Sequence, residues 1–370
     1  MRVLKFGGSS VSDAGNMSRV LDIVEAAAAG GPVVLVSSAI SGCTDSLVML
    51  GRRCSEGDSY AMDIIDSLKQ RHSRIILRLF TGSQLRRIGE ELDAVFAQLS
   101  ALAGSILSAG CITPSQEEEI QTFGELLSTR ILAAKLRTEG FESRWIDSRD
   151  LVVKGNQRKT YSNIRRKIGH YRNVQVFVAP GFVARDADGA VTTLGRGGSD
   201  YSAALYAAAL GAPSVEIWTD VPGIMTANPK VVPQARNIPH MSYDTAFCMA
   251  SHGAKVLYAP TVEPAREKNI PIRVLNTFAP AHPGTVIDAD CPARSRWVGV
   301  SSVVEGDMEN VFITFEGEVD VRQAQLRGVA ALKDAGIWPL GNGTGESFVY
   351  FSVLRSAGRE ACVTLHSEFL

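Results

Sequence analysis

The chain has 370 residues, 45% of them hydrophobic and 21% charged, with 34 glycines and a formal net charge of −1. That length points to a large and a small domain rather than one, and the near-neutral charge gives no electrostatic reason for a nucleic-acid or membrane-surface partner. The cysteines (Cys43, Cys54, Cys111, Cys248, Cys291, Cys362) form no Cys-x-x-Cys pair, which argues against a zinc site or disulfide framework and fits a reducing, cytoplasmic setting. Met1 to Phe6 runs straight into a glycine loop, an arrangement expected to leave no room for a signal or transit peptide. No apolar run approaches the roughly 20 residues of a membrane span.

Val3 to Phe6 reads as a short apolar strand, with Gly7-Gly8-Ser9-Ser10 as the loop after it. Ser12 or Asp13 is placed to cap a helix reaching about Ala29, where Gly30-Gly31-Pro32 stops it. The β-branched run 32–37 has the signature of a strand buried on both faces, and a helix between two such strands implies a parallel sheet. Glycines after a strand let backbone N–H groups approach phosphate oxygens, the following helix adds its dipole, and Lys5 supplies charge for a transferring phosphoryl group. This is not the Gly-x-x-x-x-Gly-Lys-Ser/Thr pattern, and Gly-Gly after a strand also makes an ordinary tight turn. A second loop, 37–45, leaves the same end of its strand, where α/β proteins bind ligands. Ser38 and Thr44 can donate there to a carboxylate or phosphate, while Thr44 or Asp45 equally suits a helix N-cap.

From Asp45 to about Ala109 the pattern turns helical, with Ile64, Ile65 and Leu68, then Ile75, Ile76 and Leu79, at helical spacing. This excursion from the sheet is placed to wall or cover a pocket. Alternation then resumes with a helix from about Gln116 to Glu139, strands at 143–147 and 174–179, a helix from Ser199 to Leu210 and a strand at 214–219. Gly124-Glu125-Leu126-Leu127-Ser128 puts a carboxylate in the first of these helices, where the plain reading is a surface glutamate. Gly195-Arg196-Gly197-Gly198-Ser199-Asp200 is the strongest local signal. An arginine among glycines, followed by a helix start, suits bidentate carboxylate recognition; a turn with an ordinary Ser/Asp cap is the alternative. Thr219-Asp220 ends a strand and Asn228-Pro229-Lys230 lies just beyond. Together they suit a nucleotide, separately a strand end and a proline turn. Lys255, after Gly253-Ala254, is either a further cation for such a site or a surface lysine.

Turn-rich stretches across 277–297 suggest a boundary. Beyond it come strands at 298–304 and 311–315, a helix at 321–335, strands at 337–340 and 348–354, and a helix at 358–369. Their βαββα part looks like a ferredoxin-like regulatory module.

In order, these motifs resemble the amino acid kinase family over residues 1–290, and within it the aspartate kinases. The resemblance rests on Lys5 to Val11, Ser38-Ala39 with Thr44-Asp45, Gly124 to Ser128, Trp145 to Arg149, Pro180-Gly181-Phe182, Leu194 to Ala203, Thr219-Asp220-Val221, Gly253 to Leu257 and Asn276-Thr277-Phe278. It implies an α/β, three-layer αβα amino acid kinase fold with a mainly parallel sheet over 1–290. A small ACT-like α+β module would follow over 297–370, part of a regulatory region that senses lysine or threonine. It implies ATP with Mg²⁺ as phosphoryl donor, no metal site on the protein itself, and L-aspartate as acceptor. The product would be 4-phospho-L-aspartate, which leads to lysine, threonine and methionine. Residue by residue, it makes Lys5 and Asp200 catalytic. Ser38, Thr44, Glu125, Phe182, Arg196 and Ser199 would surround aspartate, with Arg196 on a carboxylate and Glu125 facing the ammonium. Lys5, Gly7, Gly8, Ser9, Thr219, Asp220, Met225, Lys230, Lys255 and Val256 would hold the nucleotide.

Pro222, Met225 and Lys230 stand where the family often has aspartate, an aromatic and arginine, and lysine cannot reproduce a guanidinium fork. The resemblance also implies a homodimer or higher homo-oligomer, and a longer natural polypeptide that continues into a second ACT module or a homoserine dehydrogenase. The competing readings are another kinase of this fold, for glutamate, acetylglutamate, carbamate or UMP, and an amino-acid-sensing binding protein with a degenerate kinase domain. A dinucleotide oxidoreductase lacks its Gly-x-Gly-x-x-Gly after any strand.

Overall fold

A computed structural model describes residues 1–254, 257–291 and 295–370, so the expected nucleotide contacts Lys255 and Val256 lie outside the described residues. The chain divides into two compact units, Met1–Asp220 and Val221–Leu370.

The first unit opens with β1 (Arg2–Phe6), α1 (Ala14–Ala28) and β2 (Val33–Ser37). Of the two expected caps it is Asp13 that serves α1, accepting the Asn16 N–H at 2.9 Å. The helical excursion follows as α2 (Cys43–Ser55), α3 (Asp63–Leu79) and α4 (Gly82–Ala109). Then come α5 (Pro114–Thr138), β3 (Ser143–Trp145), α6 (Gln157–Gly169), β4 (Val176–Pro180), the hairpin β5 (Val183–Arg185) and β6 (Val191–Thr193), α7 (Gly198–Leu210) and β7 (Val215–Thr219). A reciprocal Thr113–Gln116 capping box starts α5.

By length and composition, α4 alone among the described helices could cross a membrane. Scanning for unbroken apolar runs misses it because Arg86, Arg87, Glu90, Glu91 and Asp93 interrupt the first half. Ile88, Leu92, Val95, Phe96, Leu99, Ala103 and Ile106 form one buried stripe along it, the pattern of an amphipathic helix packed into its unit.

β3, β4, β2, β1 and β7 lie side by side in that order, every pairing parallel. β2 and β4 are buried at every residue, so helices cover both faces in the expected three layers. Parallel strands bring all their carboxyl ends to one edge. There the register sets Phe6 opposite Ser37 and Trp218, and Ser37 opposite Pro180.

The second unit holds β8 (His240–Ser242), α8 (Tyr243–Ser251), α9 (Val262–Glu267), β9 (Ile272–Asn276) and β10 (Thr285–Asp288). β10 pairs parallel with β8 and antiparallel with β9. β11 (Arg296–Glu305), β12 (Met308–Glu316), α10 (Val321–Asp334), β13 (Gly341–Thr344), β14 (Phe348–Leu354) and α11 (Gly358–Phe369) complete the chain. Their strands form an antiparallel sheet in the order β11-β12-β14-β13.

The strand expected at 337–340 is absent; β13 begins at Gly341. Gly336, at φ 77°, stops α10 in the left-handed region. The Ile337 N–H returns to the Leu332 carbonyl at 2.8 Å, and Ile337 enters the core. Trp338 and Leu340 are left exposed. An apolar run serving as a helix stop thus imitates a strand.

The core under this sheet contains Val300, Val311, Ile313, Phe315, Phe351 and Leu365, together with Ala227 and Val232 from far upstream. The Thr226 carbonyl accepts the Val300 N–H at 2.7 Å. The Thr226 hydroxyl accepts the Arg236 N–H at 3.0 Å and meets His366 Nε2 at 2.9 Å. The segment carrying Met225 and Lys230 is therefore anchored inside the small sheet's core. Val232→Asp should consequently destabilise this unit by about 3 kcal/mol or more, the cost of an unpaired charge in a closed core. Urea unfolding followed by circular dichroism measures this; an unchanged midpoint would separate the segment from the core.

Candidate active site

Lys5 lies near the carboxyl end of β1, with its Nζ 2.6 Å from Asp200 Oδ1 in the first turn of α7 and both side chains only 11% exposed. Beyond Lys5 the backbone leaves the sheet through Gly7 and Gly8. The Gly7 N–H donates to the Trp218 carbonyl at 3.2 Å, and the Gly8 carbonyl accepts the Ser41 N–H at 3.2 Å. The loops after β1 and β2 thus touch through backbone alone. A Cβ on Gly8 would stand 2.9 Å from the Ala39 carbonyl oxygen, so a side chain there would push the loops apart. Ser9, Ser10 and Val11 follow in a 3-10 turn. Lys5 with this glycine loop presents one cation and close backbone to an anionic ligand, as phosphate oxygens require.

The second loop is held from behind by α5. Ser128 Oγ donates to the Ser38 carbonyl at 2.8 Å. A Cβ on Gly124 would lie 2.6 Å from that of Ala39. Glu125 accepts the Ala39 N–H, and its Oε2 is buried without a hydrogen-bond partner. The carboxylate read as a plausible surface residue is thus fully enclosed. Burial pushes its carboxyl up to about 8, against the opposing pull of backbone hydrogen bonds and the Lys5 charge. The cap reading of Thr44 and Asp45 also fails. Gly42, at φ 75°, is the N-cap of α2, with no side-chain cap bond, and Thr44 sits half-buried in the first turn near the Ser38 loop.

Phe182, just past β4, adopts φ 67° and donates its N–H to Ser202 Oγ at 2.9 Å. Its carbonyl accepts the Leu194 N–H at 2.8 Å. A Cβ on Gly181 would meet Ser199 Cβ at 2.7 Å, and one on Gly198 would meet the Phe182 ring at 2.9 Å. These close approaches seat buried Ser199 against Phe182, while Arg196 projects exposed from the same loop. Thr219 ends β7 and Asp220 follows it, the two linked by a 3.2 Å hydrogen bond from the Thr219 hydroxyl. The first unit therefore gathers Lys5, Gly7, Gly8, Ser9, Ser38, Thr44, Glu125, Phe182, Arg196, Ser199, Asp200, Thr219 and Asp220 around loops from one sheet edge.

In the second unit, Met225 is half-buried and bridges to Asn237, and Lys230 is exposed, its N–H held by Asn228 Oδ1 at 3.1 Å. Sequence reasoning missed Ser202 as the acceptor of the Phe182 N–H, although it lies within the Gly-Ser-Asp-Tyr-Ser run. It also missed Glu118, one heptad before Glu125. No cluster of three or more His, Cys, Asp or Glu able to hold a metal ion occurs among the described residues.

The enclosure of Glu125 has a measurable pH signature. Its folded carboxyl titrates near 8 instead of its ordinary 4.5. Its contribution to stability is therefore complete below the ordinary value and is lost as pH rises to the folded value. Glu125→Gln, which imitates the neutral acid, should gain stability over the parent progressively between those limits, by on the order of a few kcal/mol. Melting temperatures across that range test this; parallel curves for the two proteins would mean that the carboxyl is not held neutral.

The sequence matches the model of the amino acid kinase family over residues 1–276. It is 35% identical over 296 residues to the lysine-sensitive aspartokinase 3 of Escherichia coli, covering 77% of this chain and 63% of that protein. It is 32% identical over 300 residues to the chloroplastic aspartokinase 1 of Arabidopsis thaliana, covering 77% of this chain and 51% of that one. The crystal structure of E. coli aspartokinase III in complex with aspartate and ADP matches with a TM-score of 0.74 at 28% identity, covering 97% of this chain and 80% of its own. The chain thus spans from about half to under two thirds of the length of these curated relatives. With the family model spanning most of its length and the parallel sheet in the family's arrangement, this chain belongs to the amino acid kinase family.

Proposed function

We propose that the chain is an aspartate kinase, transferring the γ-phosphoryl group of ATP to the side-chain carboxylate of L-aspartate to give 4-phospho-L-aspartate. The observation that carries this reading is the convergence at one sheet edge of the Lys5–Asp200 pair, the Arg196 loop and the enclosed, unpartnered Glu125 oxygen. An α-amino acid offers an ammonium for Glu125 and a carboxylate for Arg196. The aspartate side chain, with a reference pKa of about 3.9, is already an ionised nucleophile at neutral pH and needs no general base. What the protein must supply is charge against the repulsion between a carboxylate and a polyphosphate. Lys5 meets that need, and Asp200 orients it. Ser38, Thr44, Ser199 and the backbone at Phe182 are assigned to the substrate, as in the motifs of the family.

The glycine loop, Lys5, Thr219, Asp220, Met225 and Lys230 are assigned to ATP, with Lys255 and Val256 added by resemblance alone. The cradle fits such a ligand, because Gly8 admits no side chain and Lys5 is fixed beside it. Mg²⁺ carried on the nucleotide phosphates would supply further charge neutralisation. We assign catalysis to 1–290 and regulation by an amino acid, lysine or threonine, to an ACT-like module over 297–370, in a homo-oligomer. The name of the lysine-sensitive E. coli relative supports the effector class.

A coupled assay with aspartate, glutamate, acetylglutamate and UMP as acceptors tests the reading. Turnover of aspartate alone is expected, and turnover of another acceptor but not aspartate would refute it. Lys5→Ala should lower kcat by about 10²–10³-fold, the scale of one electrostatic catalytic group, with circular dichroism unchanged. Arg196→Ala should raise the aspartate KM by about 10- to 150-fold, equivalent to about 1.5–3 kcal/mol for a charge-assisted contact. An unchanged KM would remove Arg196 from the substrate site.

A further inference from the structure

Glu118 touches none of the residues assigned to substrate or nucleotide, yet its carboxylate is the meeting point of three elements. It lies in the second turn of α5, two turns before Glu125. Its Oε2 accepts the Thr193 N–H at 2.9 Å and the Thr192 hydroxyl, both at the end of β6. Lys154 Nζ, on the segment ahead of α6, reaches Glu118 Oε1 at 3.3 Å and the Thr192 hydroxyl at 3.3 Å. Thr192 and Thr193 are each 5% exposed.

The Arg196 loop begins directly after Thr193. Thr193 Oγ1 accepts the Gly195 N–H at 3.4 Å, the Gly195 carbonyl accepts the Gly198 N–H at 2.9 Å, and Arg196 lies between them. Glycines at φ 74° and 68° flank Arg196. Glycine at both sides makes the loop intrinsically permissive, so its position must be imposed from outside it. The Leu194 N–H is fixed to the Phe182 carbonyl. One residue earlier, Thr193 stands opposite Val183 in the β5–β6 hairpin, and its N–H is taken by Glu118.

We infer that Glu118 is a positioning residue that holds the Arg196 loop at a set distance from Glu125, so that α5 acts as the ruler between the ammonium-binding and carboxylate-binding ends of the site. Seven residues of helix put Glu118 and Glu125 on one face about 10 Å apart along the axis. One carboxylate faces the ligand and the other anchors the loop bearing its counter-charge. A zwitterionic ligand is discriminated by that spacing, and a shift of the order of 1 Å in one anchor disturbs a bidentate contact. This inference rests on the assignment of Arg196 and Glu125 to the substrate.

Steady-state kinetics of Glu118→Ala and Glu118→Gln test it, varying aspartate and MgATP in turn. Glu118→Ala should raise the aspartate KM about tenfold or more while moving the MgATP KM less than about twofold. Glu118→Gln keeps an amide oxygen for the Thr192 and Thr193 donors and should recover most of that loss. In Glu118→Ala/Arg196→Ala the aspartate KM should be no worse than in Arg196→Ala alone, because the first change acts through the second residue. Additive losses, or equal losses for both substrates, would overturn the inference.

Amide hydrogen exchange gives a readout independent of turnover. Protection at Thr193 and Gly195 should fall in Glu118→Ala, and unchanged protection would overturn the clamp. Faster exchange in Glu118→Ala, together with a parent protein that does not phosphorylate aspartate, would refute the proposed activity and leave the clamp standing.

Discussion

The 2.6 Å contact between Lys5 Nζ and Asp200 Oδ1 joins the central strand β1 to the first turn of α7 with both side chains nearly buried. Removing two charges from water costs several kcal/mol each, and their attraction offsets that only when the geometry is fixed and further polar partners are near. Such a pair is poor evidence for stability and good evidence that the surroundings are built to hold it. The neighbouring backbone has that character. Phe6 is registered against Ser37 and Trp218, so the loops after three parallel strands leave the sheet at one level. Gly8, Gly124, Gly181 and Gly198 each stand where a Cβ would strike a neighbouring loop or helix. The glycines of the motifs therefore do more than free the backbone. They let four loops pack close enough to enclose a charge pair and a neutral carboxyl together.

That second role explains what was legible in the sequence and what was not. Strand and helix order in the first unit followed from periodicity and punctuation, because buried parallel strands and amphipathic helices leave distinct patterns. The motifs around Lys5, Ser38, Glu125, Arg196 and Asp200 each had an ordinary alternative reading and stood out only through their order together along the chain. Burial was not legible. Glu125 follows a glycine within a helix, and nothing local says that Ala39 will close over it. Glu118 was invisible for the opposite reason, since an acidic residue in the run Glu117-Glu118-Glu119 looks like a solvated helix start. Only the return of β6 to α5 gives its carboxylate a purpose. The apolar stretch at 337–340 misled because Ile337 serves one side of a helix stop and Trp338 the other, a pattern that alternation alone reads as a strand.

α5 carries both glutamates, and their environments differ. Glu118 is half exposed and meets three donors. Glu125 is enclosed, with Oε2 unmatched. An unmatched buried acceptor is a cost the fold bears in the free protein, offset by holding the carboxyl neutral. A ligand ammonium would supply the missing donor and draw the carboxyl to its charged form. Under the proposed activity, aspartate capture is then linked to proton release. That linkage favours binding as pH rises toward 8, until other groups titrate.

In the second unit an upstream segment is built into the core of the small sheet. Ala227 and Val232 belong to the core beneath β11, β12 and β14, and Thr226 is tied both to β11 and to His366 of α11. Met225 and Lys230 therefore sit on a segment whose position is decided by the packing of the small antiparallel sheet. Here any rearrangement of α11 or β11 must displace Thr226, and with it the residues on either side. Packed cores switch between discrete arrangements rather than deform smoothly. A modest shift in the sheet would thus reach the Lys230 segment as a change of position rather than a graded strain.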